Sequence, residues 1–473
     1  MSWLRIPDEI LLKILSYLSE QDLVSLGQVC KRWHVLSQDE YLWKSLLSLH
    51  YPYNQPLPSD DSLSRSTPAS LDVYRSFRDN VASLNVQVAT QHSDEVLHVS
   101  FSHNGRLVCS TSKDATACLW SVTTAYTLDL VDTLVFFSDL TLPYKHTVYS
   151  EFNQDDTMLL VYGTVDHIPT GGIVYIYDLK QQKFLSHAVT RPLNIFSTWL
   201  DSQHFAYGDI MASSLEPGGS ESILYCSNAR RQAGDYKQLG RFYNRRGTCI
   251  RQIRSMPLVD MKAGSSHSNC GSDYRLFYSK GDTYRCGHQL ACCDVTTERL
   301  PPISSNREFI TSTHKNVCEV NGRVVGLRMS PDNQLIYINC RPFTNTDAHA
   351  NLLQPDISEN AEVRVYRSDS LELVQMLRGH KCYTPKSSCF IIHLDVSESY
   401  IASGAEDRLV HVWDRRSGAK LATLCGHTNV VNAVAFNPRN EGMLVSASDD
   451  FTLRVWHSRH LVRSCKELRV SNF

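Results

Sequence analysis

The first fifty residues place apolar side chains with the period of an α-helix. Residues 6–18 read IPDEILLKILSYL, a run in which isoleucine and leucine recur along one wide face. Pro7 suits the first turn of this helix, because its missing N–H would have no intrahelical partner there. We expect a second helix with Asp22 as its N-cap and a third helix across residues 33–43. The pattern predicts a small all-α domain over residues 1–50.

The pattern then changes twice. Residues 51–70 are rich in Pro, Ser and Asp and show no apolar period, which is typical of a linker. Ser70 opens a short amphipathic stretch, so we assign residues 51–85 to a linker and a bridging helix. From about residue 86 apolar positions alternate as in β-strands. Residues 86–473 are therefore predicted to form an all-β domain.

Composition narrows the class of protein. The chain has 473 residues, of which 42% are hydrophobic, and a formal net charge of -2. A folded protein of two or three domains is expected, without the basic excess that bulk nucleic-acid binding requires. No apolar run is long enough to span a membrane, and charged residues interrupt the apolar N-terminus, so neither membrane insertion nor secretion is expected. Fifteen cysteines, an odd number, then indicate reduced thiols in a cytoplasmic or nuclear protein.

Three segments of the all-β region align without gaps. They read STSKDATACLW, SGAEDRLVHVW and SASDDFTLRVW, and each is preceded by a histidine. We expect the His, Ser, Asp and Trp of each segment to form a buried chain of hydrogen bonds, which is stabilising when every member is satisfied. The aspartates are therefore interpreted as scaffold and not as catalytic groups. The three predicted sets are His92, Ser110, Asp114 and Trp120; His380, Ser403, Asp407 and Trp413; and His427, Ser446, Asp450 and Trp456.

These segments resemble the WD repeat, which forms one four-stranded blade of a β-propeller. The 43 residues from Trp413 to Trp456 match the usual repeat length of ~40–45. Less regular blades are predicted elsewhere, and one or two fit between residues 229 and 315. Seven blades are expected, with eight as the alternative. Val86 and Val88 are predicted to add the outer strand of the last blade, which closes the ring and removes exposed sheet edges.

The helical segment IPDEILLKILSYLSEQDLVSLGQVCKRWHVLSQDEYLWK resembles an F-box nearly end to end. It carries the opening hydrophobic-Pro-x-Glu, the central V-C-x-x-W and the closing L-W. This resemblance implies docking onto the Skp-type adaptor of a cullin-RING ubiquitin ligase. The residues that would form or support the docking surface are Ile6, Pro7, Ile10, Leu11, Ile14, Leu15, Leu18, Leu23, Val24, Val29 and Trp33.

Together the two parts resemble the F-box/WD repeat family of ligase substrate receptors. The resemblance implies that the propeller holds a protein to be ubiquitinated for proteasomal degradation, and it suggests a role in centrosome duplication. Such a receptor acts by proximity, so no catalytic residue, cofactor or metal is expected. The middle of this chain is shorter than in family members and is expected to lack their long insertion.

Two rival functions stay open at the level of sequence. One is a propeller scaffold that uses its F-box outside ubiquitination. The other is a hydrolytic propeller, which would need acidic or histidine side chains around a central channel. We expect the protein in the cytoplasm, with nuclear and centrosomal pools as alternatives.

A second docking signal lies in residues 400–416, YIASGAEDRLVHVWDRR. It resembles the W-D-x-R box with which some propellers bind the large damage-specific DNA-binding adaptor of cullin-4 ligases. Trp413 would fix the blade, and Asp414 and Arg416 would present the contact. Because ordinary WD repeats often contain this sequence, a purely structural role is the alternative.

Two clusters of reactive or charged residues remain. Arginines are concentrated between residues 241 and 254, and we nominate Arg245 and Arg246 for binding an acidic or phosphorylated substrate segment, with solvated surface arginines as the alternative. Cys286, His288 and the pair at 292–293 are close in sequence but lack paired C-x-x-C knuckles. The cysteine pair is instead read as part of a buried strand.

Overall fold

The fold is taken from a computed structural model, which describes residues 6–52, 69–136, 144–165, 171–190, 196–212, 220–230, 236–244, 249–258, 274–281, 288–295, 314–344, 356–384 and 391–471. In this part of the chain there are six helices and twenty-eight strands. The helices are α1 (Asp8–Leu15), α2 (Glu20–Leu26), α3 (Lys31–Ser37), α4 (Glu40–His50), α5 (Ser70–Asp79) and α6 (Arg459–Ser471).

The strands form antiparallel sheets of four, and each sheet is one blade. The first four blades contain β2 (Val96–Phe101), β3 (Leu107–Ser112), β4 (Thr116–Val122) and β5 (Leu128–Val135); β6 (Tyr144–Phe152), β7 (Met158–Val165), β8 (Gly171–Asp178) and β9 (Lys183–Thr190); β10 (Ser197–Trp199), β11 (His204–Ala212), β12 (Ser220–Asn228) and β13 (Tyr236–Asn244); and β14 (Cys249–Pro257), β15 (Tyr274–Gly281), β16 (Gln289–Val295) and β17 (Asn316–Glu319).

The remaining three blades follow the same order along the chain, except that the last takes its fourth strand from the start of the domain. They contain β18 (Gly322–Met329), β19 (Leu335–Pro342), β20 (Asn360–Arg367) and β21 (Leu373–Lys381); β22 (Leu394–Val396), β23 (Tyr400–Ser403), β24 (Val410–Asp414) and β25 (Lys420–Leu424); and β26 (Val431–Phe436), β27 (Met443–Ser448), β28 (Leu453–His457) and β1 (Leu84–Ala89).

The blades form a closed seven-bladed propeller. The first strand of each blade is innermost and contacts the first strands of the neighbouring blades, with β2 against both β6 and β26. Closure comes from β1, which pairs antiparallel with β28. The expected seven-blade fold is therefore confirmed, and the uncertain stretch from 229 to 315 contributes one blade, not two.

The N-terminal helices pack around one apolar cluster, but two helix boundaries differ from the prediction. The predicted third helix is divided into α3 and α4, and Asp39 caps α4 by accepting a hydrogen bond from the Tyr41 N–H at 2.9 Å. Helix α2 is capped by Ser19, and Asp22 occupies the third helical position of a capping box. The prediction assigned the cap to Asp22 because both residues favour that position.

Helices α5 and α6 connect the two parts of the molecule. On α5, Leu71 and Tyr74 belong to the apolar cluster of the N-terminal helices. Just beyond α5, Val81 and Ala82 pack with the sixth and seventh blades. Helix α6 was not predicted from the sequence. Its Leu461 is buried among residues of the first and last blades.

The two faces of the ring are set by strand direction. In an antiparallel blade the first and third strands run the same way, so they end at the same face. The end of β28 at His457 lies beside Leu84, the first residue of β1. Helices α5 and α6 therefore leave from the face at which the inner strands end, which we call the helix face. The other is called the loop face. In the described part of the chain, no helix has the length and apolar character needed to cross a membrane.

Candidate partner-binding surfaces

The predicted F-box residues fall into three groups by exposure. Leu11, Leu15 and Leu23 are each only 1% exposed and belong to the apolar core. Ile6, Leu18 and Trp33 are partly buried against it. The remaining residues are exposed, and they are Pro7, Ile10, Ile14, Val24 and Val29. The first group can support a docking surface from beneath, whereas only the last group can present one.

Exposed apolar side chains concentrate on the first three helices and the turns between them. Ile10 is 53% exposed, Val29 is 71% exposed, and Tyr17, which was not among the predicted residues, is 83% exposed. An exposed apolar surface of this kind marks a protein-interaction site more often than a solvated face. Arg32 fixes its shape, because its guanidinium donates to Asp8 Oδ1 at 3.0 Å and to the Ile6 carbonyl at 2.6 Å.

A polar network fastens α5 to helices α1–α4, which carry the predicted F-box segment and are called the F-box helices. The Tyr74 hydroxyl donates to Glu20 and lies 2.7 Å from His50 Nδ1, and Arg78 donates to Glu20 Oε1 at 2.7 Å. Burial alone would raise the pKa of the Glu20 carboxyl, but the hydrogen bonds from Tyr74 and Arg78 outweigh it and lower that pKa. Asp79 extends the network to α6, with Arg463 Nη1 at 3.4 Å from its Oδ2.

In the first blade the structure assembles all four residues of the predicted chain. His92 Nδ1 lies 2.8 Å from Asp114 Oδ2, His92 Nε2 lies 2.8 Å from Ser110 Oγ, and the Trp120 indole N–H donates to the same oxygen at 2.9 Å. Burial disfavours the charged imidazole, but the hydrogen bond to Asp114 outweighs it and raises the pKa of His92 to about 9. All four groups are satisfied within the blade.

The seventh blade repeats this arrangement. His427 Nδ1 lies 2.9 Å from Asp450 Oδ2, and His427 Nε2 lies 2.8 Å from Ser446 Oγ. The Trp456 indole N–H donates to Ser446 Oγ at 2.8 Å. Burial raises the pKa of the Asp450 carboxyl, but the hydrogen bond with His427 outweighs it and holds that pKa well below its usual range. The aspartate is thereby occupied within the scaffold.

In the sixth blade the predicted chain is wrong. His411, on the third strand, places its Nε2 3.0 Å from Asp407 Oδ2 and takes the position expected for His380. His380 instead donates to the Asn339 side chain of the fifth blade at 2.8 Å. The Asn339 amide donates in turn to Ser403 Oγ at 2.9 Å, and the Trp413 indole donates to the Arg378 carbonyl at 3.2 Å.

The cause is a second histidine four residues after the aspartate. The first blade has Cys118 at this position, and the thiol leaves Asp114 to its loop histidine. A buried imidazole needs a polar partner, and His411 is nearer to Asp407. Burial lowers the pKa of the displaced His380 to about 3, so its ring is neutral.

The predicted second-adaptor box is divided between buried and exposed residues. Trp413 is fully buried. The Asp414 carboxylate accepts hydrogen bonds from the Ser417 N–H at 2.7 Å and from its hydroxyl at 2.6 Å, so this side chain holds a turn. Arg415 is buried and donates to Asp332 at 2.7 Å. Arg416 is exposed at the helix face, and it is the residue of this box that a partner can reach.

The nominated substrate arginines Arg245 and Arg246 lie outside the described residues. The side chains of two other arginines of the run are described. Arg241 is ion-paired with Glu221, and Arg254 lies on the inner strand β14 at the centre of the ring. The run is therefore not a single cluster of solvated arginines.

The cysteine-rich segment is a strand in its described part. Cys292 and Cys293 are consecutive on β16 and belong to two different apolar clusters on opposite faces of the sheet. His288 Nδ1 accepts from the Val324 N–H at 3.0 Å, and Cys286 lies outside the described residues. Among the described residues no group of three His, Cys, Asp or Glu side chains is placed to hold a metal ion.

An axial cavity of about 420 Å³ lies inside the ring, towards the helix face. Its lining includes three histidines, two arginines, four carboxylates and a tyrosine, and sequence reasoning did not single out seven of these residues together. The seven lie on or next to the inner strands of five blades, so no local motif connects all of them. These residues are His98, Tyr149, Glu151, Arg254, Arg328, His393 and Asp395.

Comparison with protein families assigns both parts of the molecule. A model described as F-box-like matches residues 3–48, and a model described as "WD domain, G-beta repeat" matches residues 85–121, 371–414 and 418–457. These matches cover the helical segment and the first, sixth and seventh blades. The N-terminal helices are thus similar to the F-box-like family, and three stretches of the seven-bladed propeller are similar to the WD repeat.

Among curated proteins the chain is similar over nearly its whole length to F-box/WD repeat-containing protein 5. The identity is 28% to the Rattus norvegicus protein, covering 97% of this chain and 95% of the relative. It is 27% to the Homo sapiens protein with the same coverage. A WD repeat-containing protein 26 homolog from Arabidopsis thaliana is 25% identical over 80% of this chain and 51% of its own length. The expected resemblance is thus confirmed.

Proposed function

We propose that this protein is the substrate receptor of a cullin-RING ubiquitin ligase. The F-box helices dock onto a Skp-type adaptor, which links them to the cullin, and the propeller binds the protein to be ubiquitinated. The observation that carries the proposal is that one chain combines an exposed apolar helical surface with a propeller. The scaffold residues of the first and seventh blades of this propeller are internally satisfied. The relatives that match both parts support the same assignment.

The receptor is proposed to act without catalytic residues of its own. The aspartates of the first and seventh blades are held by buried histidines, which leaves them no free role in chemistry. In the axial cavity Asp395 is paired with Arg328 at 2.9 Å. A receptor instead raises the effective concentration of the target lysine near the charged ubiquitin-conjugating enzyme. We propose a cytoplasmic site of action, with centrosome duplication as one process that its substrates serve.

The geometry favours the loop face for substrate. The F-box helices leave from the helix face, so the loop face is directed away from them. Functional residues commonly lie on loops held by a rigid scaffold. Strand β13 ends and β14 begins at the loop face, and Arg245 and Arg246 lie between them in the sequence. We propose that these arginines contribute to capture of an acidic or phosphorylated segment.

Co-elution tests the receptor assignment. The purified full chain is mixed with a Skp-type adaptor and cullin and separated by size-exclusion chromatography. A single complex of the three proteins is expected. A folded chain that elutes apart from the adaptor at micromolar concentrations would favour the rival function, a scaffold outside ubiquitination.

A second candidate function is membership of a cullin-4 ligase through the W-D-x-R box. The observation that favours it is the exposed Arg416, set beside a turn that Asp414 holds rigid. Arginine at a fixed exposed position is a frequent anchor in protein interfaces. The large damage-specific DNA-binding adaptor is the proposed partner, and its capture by the full chain, lost on Arg416→Ala, is the test.

A further inference from the structure

The axial cavity contains a cation without a carboxylate partner. Arg254 projects from β14 with its guanidinium carbon 5.3 Å from the centre of the Tyr149 ring. Its Nη1 donates to the Ile253 carbonyl at 2.7 Å. Its Nε is buried and has no acceptor among the described residues, and no carboxylate oxygen of that part of the chain lies within ion-pair distance. Burying a charge in this way is costly unless an anion compensates it.

The same cavity contains an acceptor without a donor. Glu151 is on β6, and its Oε1 accepts from the Thr198 hydroxyl at 3.3 Å. Its Oε2 is buried and accepts no hydrogen bond from the described residues. The two unsatisfied atoms do not satisfy each other, since Arg254 Nε and Glu151 Oε2 are both buried without a hydrogen-bond partner among the described residues. Solvent or a ligand can supply the missing partner of each atom.

The other charged and titratable groups that line the cavity are His98, His103, Arg328, His393, Asp395, Glu398 and Glu441, and the charge of Arg328 also acts on Glu151. Arg328 Nε lies 2.9 Å from Asp395 Oδ1, so these two charges neutralise each other. Asp395 also accepts from the Phe436 N–H at 2.8 Å. The rings of His98 and His393 are 4.5 Å apart, and burial lowers the pKa of both imidazoles, that of His393 to about 3. Both histidines are consequently neutral near pH 7.

We propose that the axial cavity binds a small free molecule that carries both an anionic group, facing Arg254, and an amino group, facing Glu151. Amino acids and their phosphorylated derivatives are the chemical class that fits this pair of charges. Pockets for such ligands usually occupy 300–1,000 Å³, and this cavity of about 420 Å³ lies within that range. The site opens towards the helix face and does not depend on the proposed function in ubiquitination.

Calorimetric titration of the full chain with O-phospho-L-serine tests this inference. The wild-type protein is expected to bind it more tightly than inorganic phosphate, which lacks the amino group. Arg254→Gln is expected to weaken both ligands by about tenfold or more, since it removes a charge-assisted contact. Glu151→Gln is expected to abolish the preference for phosphoserine and to leave phosphate binding unchanged. Arg106→Gln, an exposed arginine in a turn at the same face, is the matched control and should bind as wild type.

Several results would overturn the inference. The wild-type chain could fail to bind either ligand at millimolar concentration. Arg254→Gln could bind both ligands as tightly as the wild type does. Phosphoserine could bind only when it is placed within an uncharged hexapeptide. If the variants do not fold, crystals of the wild-type chain soaked in tungstate decide the question. An anomalous peak within ~4 Å of the Arg254 guanidinium is expected, and an empty cavity would contradict the proposal.

Discussion

Asp79 at the end of α5 and Arg463 on α6 form an ion pair, with 3.4 Å between Oδ2 and Nη1. This contact joins the helix that precedes the propeller to the helix that follows its last strand. Asp79 is also bound to Arg78, which reaches Glu20 on α2. The F-box helices are thus connected to the propeller through folded contacts as well as through the chain, and their orientation is defined.

The buried part of this connection should contribute more stability than the exposed part. Tyr74→Phe removes a hydroxyl that is hydrogen-bonded to Glu20, so we expect the free energy of unfolding of the helical part to fall by about 1–2 kcal/mol. Arg463→Ala should change it by less than about 1 kcal/mol, because the arginine side chain is 64% exposed. Urea unfolding followed by circular dichroism measures both, and an equal loss in the two variants would contradict this ranking.

Variants at the surface and in the core of the F-box helices should have different effects on adaptor binding and on stability. Ile10→Glu combined with Ile14→Lys removes two exposed apolar side chains from α1, and we expect adaptor binding to be lost with the fold retained. The new charges are four residues apart and complement the helix dipole, so α1 should stay stable. Leu11→Ala should instead lower the unfolding free energy by about 2–5 kcal/mol, because it opens a cavity in the core.

Calorimetry with a purified Skp-type adaptor and thermal unfolding measure these two effects. Leu49→Lys, at an exposed apolar residue on α4 outside the predicted surface, is the control and should leave both unchanged. Unaltered adaptor affinity in the Ile10 and Ile14 double variant would show that docking uses another surface.

The free energy of unfolding should decrease at alkaline pH because the His92–Asp114 pair loses its proton. The folded-state pKa of His92 is raised to about 9, so the stability that its proton contributes is complete below the unfolded value of ~6.5 and is lost as the pH rises through about 9. A shift of this size corresponds to an effect on the order of 3 kcal/mol. Denaturant unfolding between pH 6 and 10 should show this decrease in unfolding free energy in the wild-type protein and not in Asp114→Asn. Asp407→Asn is the control and should show the same decrease as the wild type. Absence of the decrease in this control would contradict the assignment to His92.

The two neighbouring arginines after Asp414 should behave differently. Arg415→Ala breaks the buried contact to Asp332 and should destabilise the propeller by about 2 kcal/mol. This value is at the lower end for a charged pair, because the Asp332 carboxylate is partly exposed and solvent screens it. Arg416→Ala should leave the melting temperature unchanged and weaken capture of the cullin-4 adaptor, with the Skp-type complex intact. Equal capture by wild type and Arg416→Ala would reduce the W-D-x-R box to a feature of the repeat.

The sequence predicted the parts of this fold that rest on local patterns. Blades with a regular His, Ser, Asp and Trp spacing were recognised, and β1 was assigned to the last blade from two alternating valines. The sixth blade shows the limit, because His411 competes with His380 for Asp407 and only the three-dimensional distances decide between them. Helix α6 was missed because its apolar positions are sparse, and packing of Leu461 against the blades stabilises it.

The candidate sites were predictable to different degrees for similar reasons. Ile10 and Leu11 are adjacent in one apolar stripe, yet the first is exposed and the second buried, since successive residues of a helix differ by about 100° in direction. Which of them faces the core depends on α4 and α5. The axial cavity collects residues from all seven blades, including Arg254 and Glu151, and no sequence spacing indicates that they meet.

The most direct test of the receptor assignment measures ubiquitination of the proteins that the propeller binds. Wild-type chain and the Ile10→Glu, Ile14→Lys double variant are purified from cells in which the proteasome is blocked, and the bound proteins and their ubiquitinated lysines are quantified by mass spectrometry. We predict that both forms capture the same proteins and that these proteins carry ubiquitin only with the wild type. Equal ubiquitination of the captured proteins with both forms would contradict the account.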